Sequence, residues 1–145
     1  MTLDPALLVD QSPDATIFAD RDGVIRAWNP AAERIFGVAA AQAIGERLDI
    51  IIPESFRERH WAGYARALEA GDTKYRGQSM ATKALKPDGS TFYVELSFAI
   101  VHGPDGAVLG AMAQARDITE RFERDRDMRR RLRELEAAAA APPAS

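Results

Sequence analysis

The chain has 145 residues, a length that suits one domain with a sizeable apolar core, and 46% of them are hydrophobic and 28% charged. A net charge of −3 argues against nucleic acid or an acidic membrane surface as the main partner. The absence of cysteine excludes thiol catalysis, zinc–thiolate sites, iron–sulfur clusters and covalent haem attachment. No apolar run reaches eighteen residues and no signal-peptide pattern is present, so we expect a cytoplasmic protein.

The first elements are predicted to be a short helix followed by a hairpin. Residues 1–12 are predicted as an amphipathic lead-in helix. Residues 15–20 and 24–28 are typical of two strands, and the intervening Asp22-Gly23 favours a tight turn. Asn29-Pro30 then predicts the start of a second helix, because asparagine is a favoured N-cap and proline a favoured first helical residue.

The middle of the chain predicts one longer helix and a three-stranded meander. Apolar or weakly polar side chains recur at three- and four-residue spacing over residues 54–70, which places His60 and Tyr64 on one helical face. Strands are predicted at about 75–86, 91–102 and 107–117, joined by turns rich in proline, aspartate and glycine. Two strands, several small helices and a meander indicate an α+β fold, with helices gathered against one antiparallel sheet.

The composition changes abruptly after Thr119. Residues 120–136 are mostly charged and carry a near-heptad apolar pattern over about two heptads, which predicts a helix able to pair with a second copy. Residues 137–145 are predicted to be a disordered tail. The globular domain is therefore expected to span residues 13–119.

The order of these elements and four short motifs resemble a PAS sensor domain over about residues 10–120. The motifs are Asp22-Gly23, the run from Trp28 to Glu33, Asp88-Gly89-Ser90, and Arg116-Asp117-Ile118-Thr119. The resemblance implies a five-stranded antiparallel sheet, a helical crescent that encloses a pocket, and an exiting signalling helix. It also implies a sensory module rather than an enzyme, and the scattered acidic residues favour no acid–base catalytic pair.

Within the PAS family, the central stretch is most similar to haem-b sensors of the FixL and direct-oxygen-sensor type. The resemblance places His60 at the axial histidine and Arg66 at a pocket arginine near the haem propionates. Met80 falls where such oxygen sensors often carry a distal arginine, and Gln78 where the direct-oxygen-sensor type carries a methionine ligand. The apolar walls of the pocket would come from Tyr64, Tyr75, Leu96, Phe98 and Ile100.

His60 and Met80 each have a second interpretation. His60 would bind iron as a neutral imidazole, or it would be a core histidine bonded to a backbone carbonyl. Met80 would ligate iron on the opposite side, fill the pocket beside a five-coordinate iron, or be an ordinary core residue. His102, the other histidine, adjoins a turn and is a poor ligand candidate.

Two functions from different classes follow from these residues. The first is a PAS sensor that binds haem b non-covalently, detects a diatomic gas or redox state, and acts on a downstream signalling protein through residues 118–136. The second is a cofactor-free module for dimerisation or protein interaction. In either case we expect a homodimer through the terminal helices. Flavin photosensing and a thioester-linked chromophore are disfavoured, because both need a cysteine.

Overall fold

The structure is a computed structural model that describes residues 1–74 and 77–142. A lead-in helix precedes a hairpin, a group of helices, a three-stranded meander and a long final helix. The elements are α1 (Pro5–Gln11), β1 (Ala15–Asp20), β2 (Ile25–Trp28), α2 (Pro30–Phe36), α3 (Ala40–Ala43), a 3₁₀ turn (Leu48–Ile51), α4 (Glu54–Ala70), β3 (Ser79–Leu85), β4 (Thr91–His102), β5 (Val108–Asp117) and α5 (Thr119–Ala140).

The five strands form one antiparallel sheet in the order β2-β1-β5-β4-β3. The last strand, β5, lies at the centre, where it pairs with β1 on one side and with β4 on the other. This arrangement confirms the α+β class and the predicted five-stranded antiparallel sheet. Because α5 follows β5 after a single residue, the central strand connects directly to the exiting helix.

Three element boundaries differ from the prediction. The lead-in helix spans Pro5–Gln11 rather than residues 1–12, because Asp4 caps it and Pro5 takes its first position. Strand β3 begins at Ser79 rather than near residue 75, after Gly77 has taken a positive φ of 71° that favours glycine. Helix α5 continues to Ala140, so residues 137–140 of the predicted disordered tail are helical. The physical reason is the run of alanines, the strongest helix former, which extends a helix already nucleated upstream. Residues 143–145 lie outside the described part of the chain.

The core lies between the β1–β2 side of the sheet and the small helices. Trp28 packs against Phe36 with ring centroids 5.5 Å apart, and Phe36 meets Phe92 edge-on at 5.6 Å. The indole Nε1 of Trp28 donates to the Val38 carbonyl at 2.9 Å, which satisfies the one polar atom of a buried side chain. Helix α2 thus buries Ala31, Ala32 and Phe36 in the core.

Asn29 joins α2 to the sheet and to α1. Its carboxamide oxygen accepts from the backbone N–H of Ala32, as expected of an N-cap, and from that of Thr16 on β1. Its Nδ2 donates to the carbonyls of Val9 and Asp14. Asn29 is 3% exposed, so its bonds to Thr16 and Ala32 are buried, while those to Val9 and Asp14 are partly buried.

The start of α5 is attached to β4. The Tyr93 ring stacks on Phe122 at 3.9 Å, and Arg121 donates to the Glu95 carboxylate at 2.6 Å. Thr119 Oγ1 accepts from the Tyr93 backbone N–H at 3.0 Å. Farther along the helix the larger apolar side chains are exposed, at Met128, Leu132 and Leu135. None of the helices in the described ranges has the length and apolarity needed to cross a membrane.

Candidate functional site

The inner face of the sheet, meaning the face of β4 that carries Phe92 and Val94, has further apolar side chains beyond the buried core. Phe92 and Val94 are buried, and strand alternation puts Leu96, Phe98 and Ile100 on the same face. These three side chains are only partly buried, although Leu96 packs against the core cluster. The apolar face of the sheet therefore extends beyond the region that the small helices cover.

Small residues form the floor beside these side chains. In the sheet register, Leu96, Phe98 and Ile100 lie opposite three alanines of β5, namely Ala115, Ala113 and Ala111. On the other side of β4, Met80 lies opposite Leu96 and is partly buried. The inner face therefore combines short side chains on β5 with larger apolar ones on β3 and β4.

Helix α4 places His60 and Tyr64 one turn apart on the same face. The Tyr64 hydroxyl donates to the Asp20 carbonyl at 2.6 Å and lies 3.1 Å from the Ala19 carbonyl. These carbonyls belong to the end of β1, so the hydroxyl connects α4 to the sheet. Burial, reinforced by the negative charge of Asp20, raises the pKa of Tyr64 to about 12, and the hydroxyl stays protonated at neutral pH.

His60 is partly buried between two aromatic rings. Its imidazole centroid lies 4.7 Å from that of Trp61 and 5.7 Å from that of Tyr64. Its Nδ1 atom is buried and has no hydrogen-bond partner among the residues that the structure describes. Burial lowers the pKa of His60, and the negative charge of Asp49 opposes this effect. The imidazole is therefore neutral at physiological pH, the form that binds metals.

Trp61 is a site residue that the sequence does not reveal. Its Nε1 donates to Asp49 Oδ1 at 2.7 Å, and the Arg47 guanidinium lies 4.3 Å from the ring centroid. A Cβ atom on Gly23 would overlap the far edge of the indole. The sequence Asp22-Gly23 predicts a hairpin turn, but the contact of Gly23 with Trp61 on α4 joins residues almost forty positions apart in the chain. No local pattern encodes a contact of that kind.

Several other predicted site residues lie at the surface rather than on the inner face of the sheet. Arg66 is exposed on α4, and Gln78 is exposed just before β3. Gln78 and Phe98 line an open depression of about 420 Å³, which also includes Ser79, Ser97 and Gln114. Tyr75 lies outside the described residues, and His102 is exposed at the end of β4. The structure thus gathers His60 and Tyr64 on α4 and Met80, Leu96, Phe98 and Ile100 on the inner sheet face.

Across residues 1–74 and 77–142, no group of three or more histidine, aspartate or glutamate side chains is arranged to hold a metal ion. Of the candidate iron ligands, His60 on α4 and Met80 on β3 belong to different layers of the fold. Their roles remain predictions.

The Tyr64 hydroxyl yields a pH-dependent prediction. We expect Tyr64→Phe to lower the free energy of unfolding by about 1 kcal/mol at pH 7, because the Asp20 carbonyl loses its donor. A folded-state pKa of about 12 against an ordinary value of 10.0 means that the stability from this group is complete below pH 10 and is lost as the pH rises towards 12. Urea unfolding of both proteins at pH 7, 10 and 11 measures the effect. A difference that grows with pH would contradict the assignment.

Comparison with known proteins gives the following matches. A family model described as PAS fold matches residues 9–123. The sensor protein FixL of Bradyrhizobium diazoefficiens is 36% identical over 85 residues, which are 59% of this chain and 17% of FixL. The oxygen sensor protein DosP of Escherichia coli is 27% identical over 97 residues, 67% of this chain and 12% of DosP. The chain therefore matches less than a fifth of the length of either relative.

A solved structure is similar to this chain and belongs to the fold that the matching family model describes. The crystal structure of the PAS domain of a protein from Colwellia psychrerythraea superimposes with a TM-score of 0.69 at 26% identity, covering 80% of this chain and 95% of that one. The fold and the matched family thus agree over nearly the whole globular region.

Proposed function

Because this chain belongs to the PAS family, we propose that it is a sensory module that holds haem b non-covalently against the inner face of its sheet. His60 is the proposed axial ligand, and the signal is a diatomic gas or a redox change at the iron. The observation that carries the proposal is the buried His60 Nδ1 without a hydrogen-bond partner among the described residues. The proposal is for a sensor rather than an enzyme.

The chemistry of His60 supports this proposal. A buried polar atom without a partner usually marks a ligand, ion or water that completes its bonding. The imidazole lies on the α4 face that Tyr64 ties to the sheet, and its lowered pKa keeps it neutral and able to donate a lone pair. Bound haem would supply an iron whose remaining coordination position accepts a diatomic molecule or a second protein ligand.

The surrounding side chains fit a flat apolar group. Leu96, Phe98 and Ile100 would contact its face, while the alanines of β5 leave room against the sheet. Arg66 is exposed on the same helix as His60 and would pair with carboxylates at the rim, as guanidinium groups do well. The proposal keeps Tyr64 and Tyr75 as wall residues and Gln78 as a donor near the distal side.

Met80 is proposed to line the distal side, either as a second iron ligand or as a filler of the pocket. We expect Met80→Leu to keep hemin affinity within about threefold, because the two side chains have similar volume and polarity. The visible bands of the reduced protein separate the two roles. A change from a six- to a five-coordinate spectrum in the variant indicates ligation, and an unchanged six-coordinate spectrum contradicts it.

Contacts at the start of α5 support transmission of the signal. Both strands that would contact the haem are attached to α5. Strand β5 leads into it after one residue, and β4 contacts it through Tyr93 with Phe122 and Glu95 with Arg121. A ligand shifts such an equilibrium only by its differential affinity for two states. Loss or gain of a distal ligand would supply that difference, and the downstream partner would be a signalling protein or domain.

A second candidate function is a cofactor-free module for dimerisation or protein interaction. Exposed apolar side chains on both terminal helices favour it, because such surfaces often bind protein partners. They are Leu7, Leu8, Val9, Met128, Leu132 and Leu135. A homodimer through these helices is compatible with both candidates, so oligomeric state does not distinguish them.

Titration of the purified chain with hemin distinguishes the two functions. A sharp Soret band at roughly 400–430 nm that saturates at one equivalent is expected of the haem sensor. Quenching of the tryptophan fluorescence, to which Trp28 and Trp61 both contribute, should follow the same stoichiometry, because His60 contacts the Trp61 indole. A broad band that never saturates would contradict haem binding and favour the cofactor-free interaction module.

A further inference from the structure

We propose that Asp49 and Trp61 form a positioning pair for His60, in which the Asp49 carboxylate fixes the indole and the indole edge orients the imidazole. This inference concerns the same site as the proposed function. Its hemin test rests on that function, whereas its test on the hemin-free protein does not. Both residues act through His60, so they are positioning residues and not ligands.

Asp49 is held rigidly. It lies within the 3₁₀ turn Leu48–Ile51, and its backbone carbonyl accepts from Ile52 N–H at 3.2 Å and from Arg57 Nη2 at 3.3 Å. Arg57 Nε also donates to the Ile52 carbonyl at 3.0 Å, which ties the turn to the first part of α4. The backbone that carries the Asp49 carboxylate is therefore held in place by hydrogen bonds to Ile52 and Arg57.

Trp61 is confined on its remaining sides. The Arg47 guanidinium lies 4.3 Å from its ring centroid, and Gly23 approaches so closely that no larger residue fits there. The Tyr64 ring meets the indole edge-on at 5.4 Å. With the 2.7 Å hydrogen bond to Asp49 in place, the indole has one orientation available.

His60 depends on this neighbour because it lacks a hydrogen bond of its own. Metal-binding histidines are usually oriented by a hydrogen bond from the second ring nitrogen to a carboxylate or carbonyl. In the described structure Nδ1, the buried ring atom left open for iron, has no partner, and the ring packs edge-to-face on Trp61 at 4.7 Å and 77°. The contact with Trp61 therefore orients the imidazole, as a hydrogen bond does in other metal-binding histidines. Asp49 contributes because its hydrogen bond restrains the Trp61 indole.

The first test measures hemin dissociation from the full chain. We expect Asp49→Ala and Trp61→Phe each to raise the dissociation rate about tenfold, in the range found when support of a metal ligand is lost. The double variant should also be about tenfold faster, because the two changes remove one and the same interaction. Asp49→Asn keeps an acceptor oxygen and should stay within twofold. The matched control is Glu58→Gln, which removes one charge at an exposed position of α4 and should also stay within twofold.

Multiplicative effects in the double variant, or unchanged rates in both single variants, overturn the proposal. Trp61→Phe leaves the 3₁₀ turn intact, so it tests the pair even where Asp49→Ala loosens that turn. A rate that rises equally in Glu58→Gln would also overturn it, because the effect would then be one of net charge alone.

The second test uses the protein without hemin. We expect the NMR signals of the His60 ring to be narrow in the wild type, and broadened by ring motion in Asp49→Ala and Trp61→Phe. His60 signals that are insensitive to both changes overturn the pair even if hemin binds. If the wild type binds no hemin while the His60 ring responds as expected, the proposed function fails and the positioning pair stands.

Discussion

Replacement of His60 by alanine is expected to abolish stoichiometric hemin binding, the largest functional effect predicted for this chain. His60 is the one histidine on the inner side of α4, and its buried Nδ1 has no partner elsewhere in the described structure. Apolar contacts with β4 and β5 would remain, but they cannot replace a metal–ligand bond. Hemin titration monitored at the Soret band should show a weak, non-saturating signal in place of a one-to-one endpoint.

The other histidine provides a matched control. His102 is exposed at the end of β4, so His102→Ala should bind hemin as the wild type does. The His60→Ala protein should stay folded within about 1 kcal/mol, because the change also removes a buried polar atom that has no described partner. Full one-to-one binding by His60→Ala would mean that His60 is a core histidine.

Asn29→Ala is expected to destabilise the fold by about 3 kcal/mol, the largest stability effect predicted here. The change removes an N-cap and leaves the Thr16 amide and the carbonyls of Val9 and Asp14 without their partner. Because Asn29 is 3% exposed, water cannot easily replace these bonds. Urea unfolding at pH 7 should show a lower midpoint with an unchanged slope.

Asp4→Ala is the control for the cap alone. Asp4 caps α1 with a single hydrogen bond to the Ala6 N–H, at an exposed position, so its loss should cost less than about 1 kcal/mol. If Asn29→Ala costs no more than Asp4→Ala, the buried hydrogen bonds of Asn29 contribute little, and its role is that of an ordinary helix cap.

Local signals account for most of the correctly predicted elements. Asn29-Pro30 marked the start of α2, and Gly71 ended α4 with a φ of 72°, as expected for a left-handed cap. The turns at Asp22-Gly23 and Pro87-Asp88-Gly89 separated strands at the expected places. Each of these signals acts within a few residues, since capping and turn formation depend on the conformations that individual residue types allow.

Side-chain periodicity also predicted which face of α4 carries the candidate site. The spacing of His60 and Tyr64 put both on one side of α4, whereas Leu96, Phe98 and Ile100 were expected as walls of the pocket that the family resemblance implies. Periodicity does not tell how far a side chain lies from solvent. The structure shows Arg66 and Gln78 exposed, although the resemblance placed both at the pocket.

The amino-acid sequence by itself determined the order and type of the elements, the antiparallel sheet and the family resemblance, because these depend on short-range propensities and repeating patterns. Only the tertiary structure decided that Trp61 lies between Gly23, Arg47 and Asp49, and that the Tyr64 hydroxyl reaches the end of β1. These contacts join residues far apart in the chain, and they form only when the helices close over the sheet. The environment of His60 is therefore a property of packing, which no local pattern in the sequence specifies.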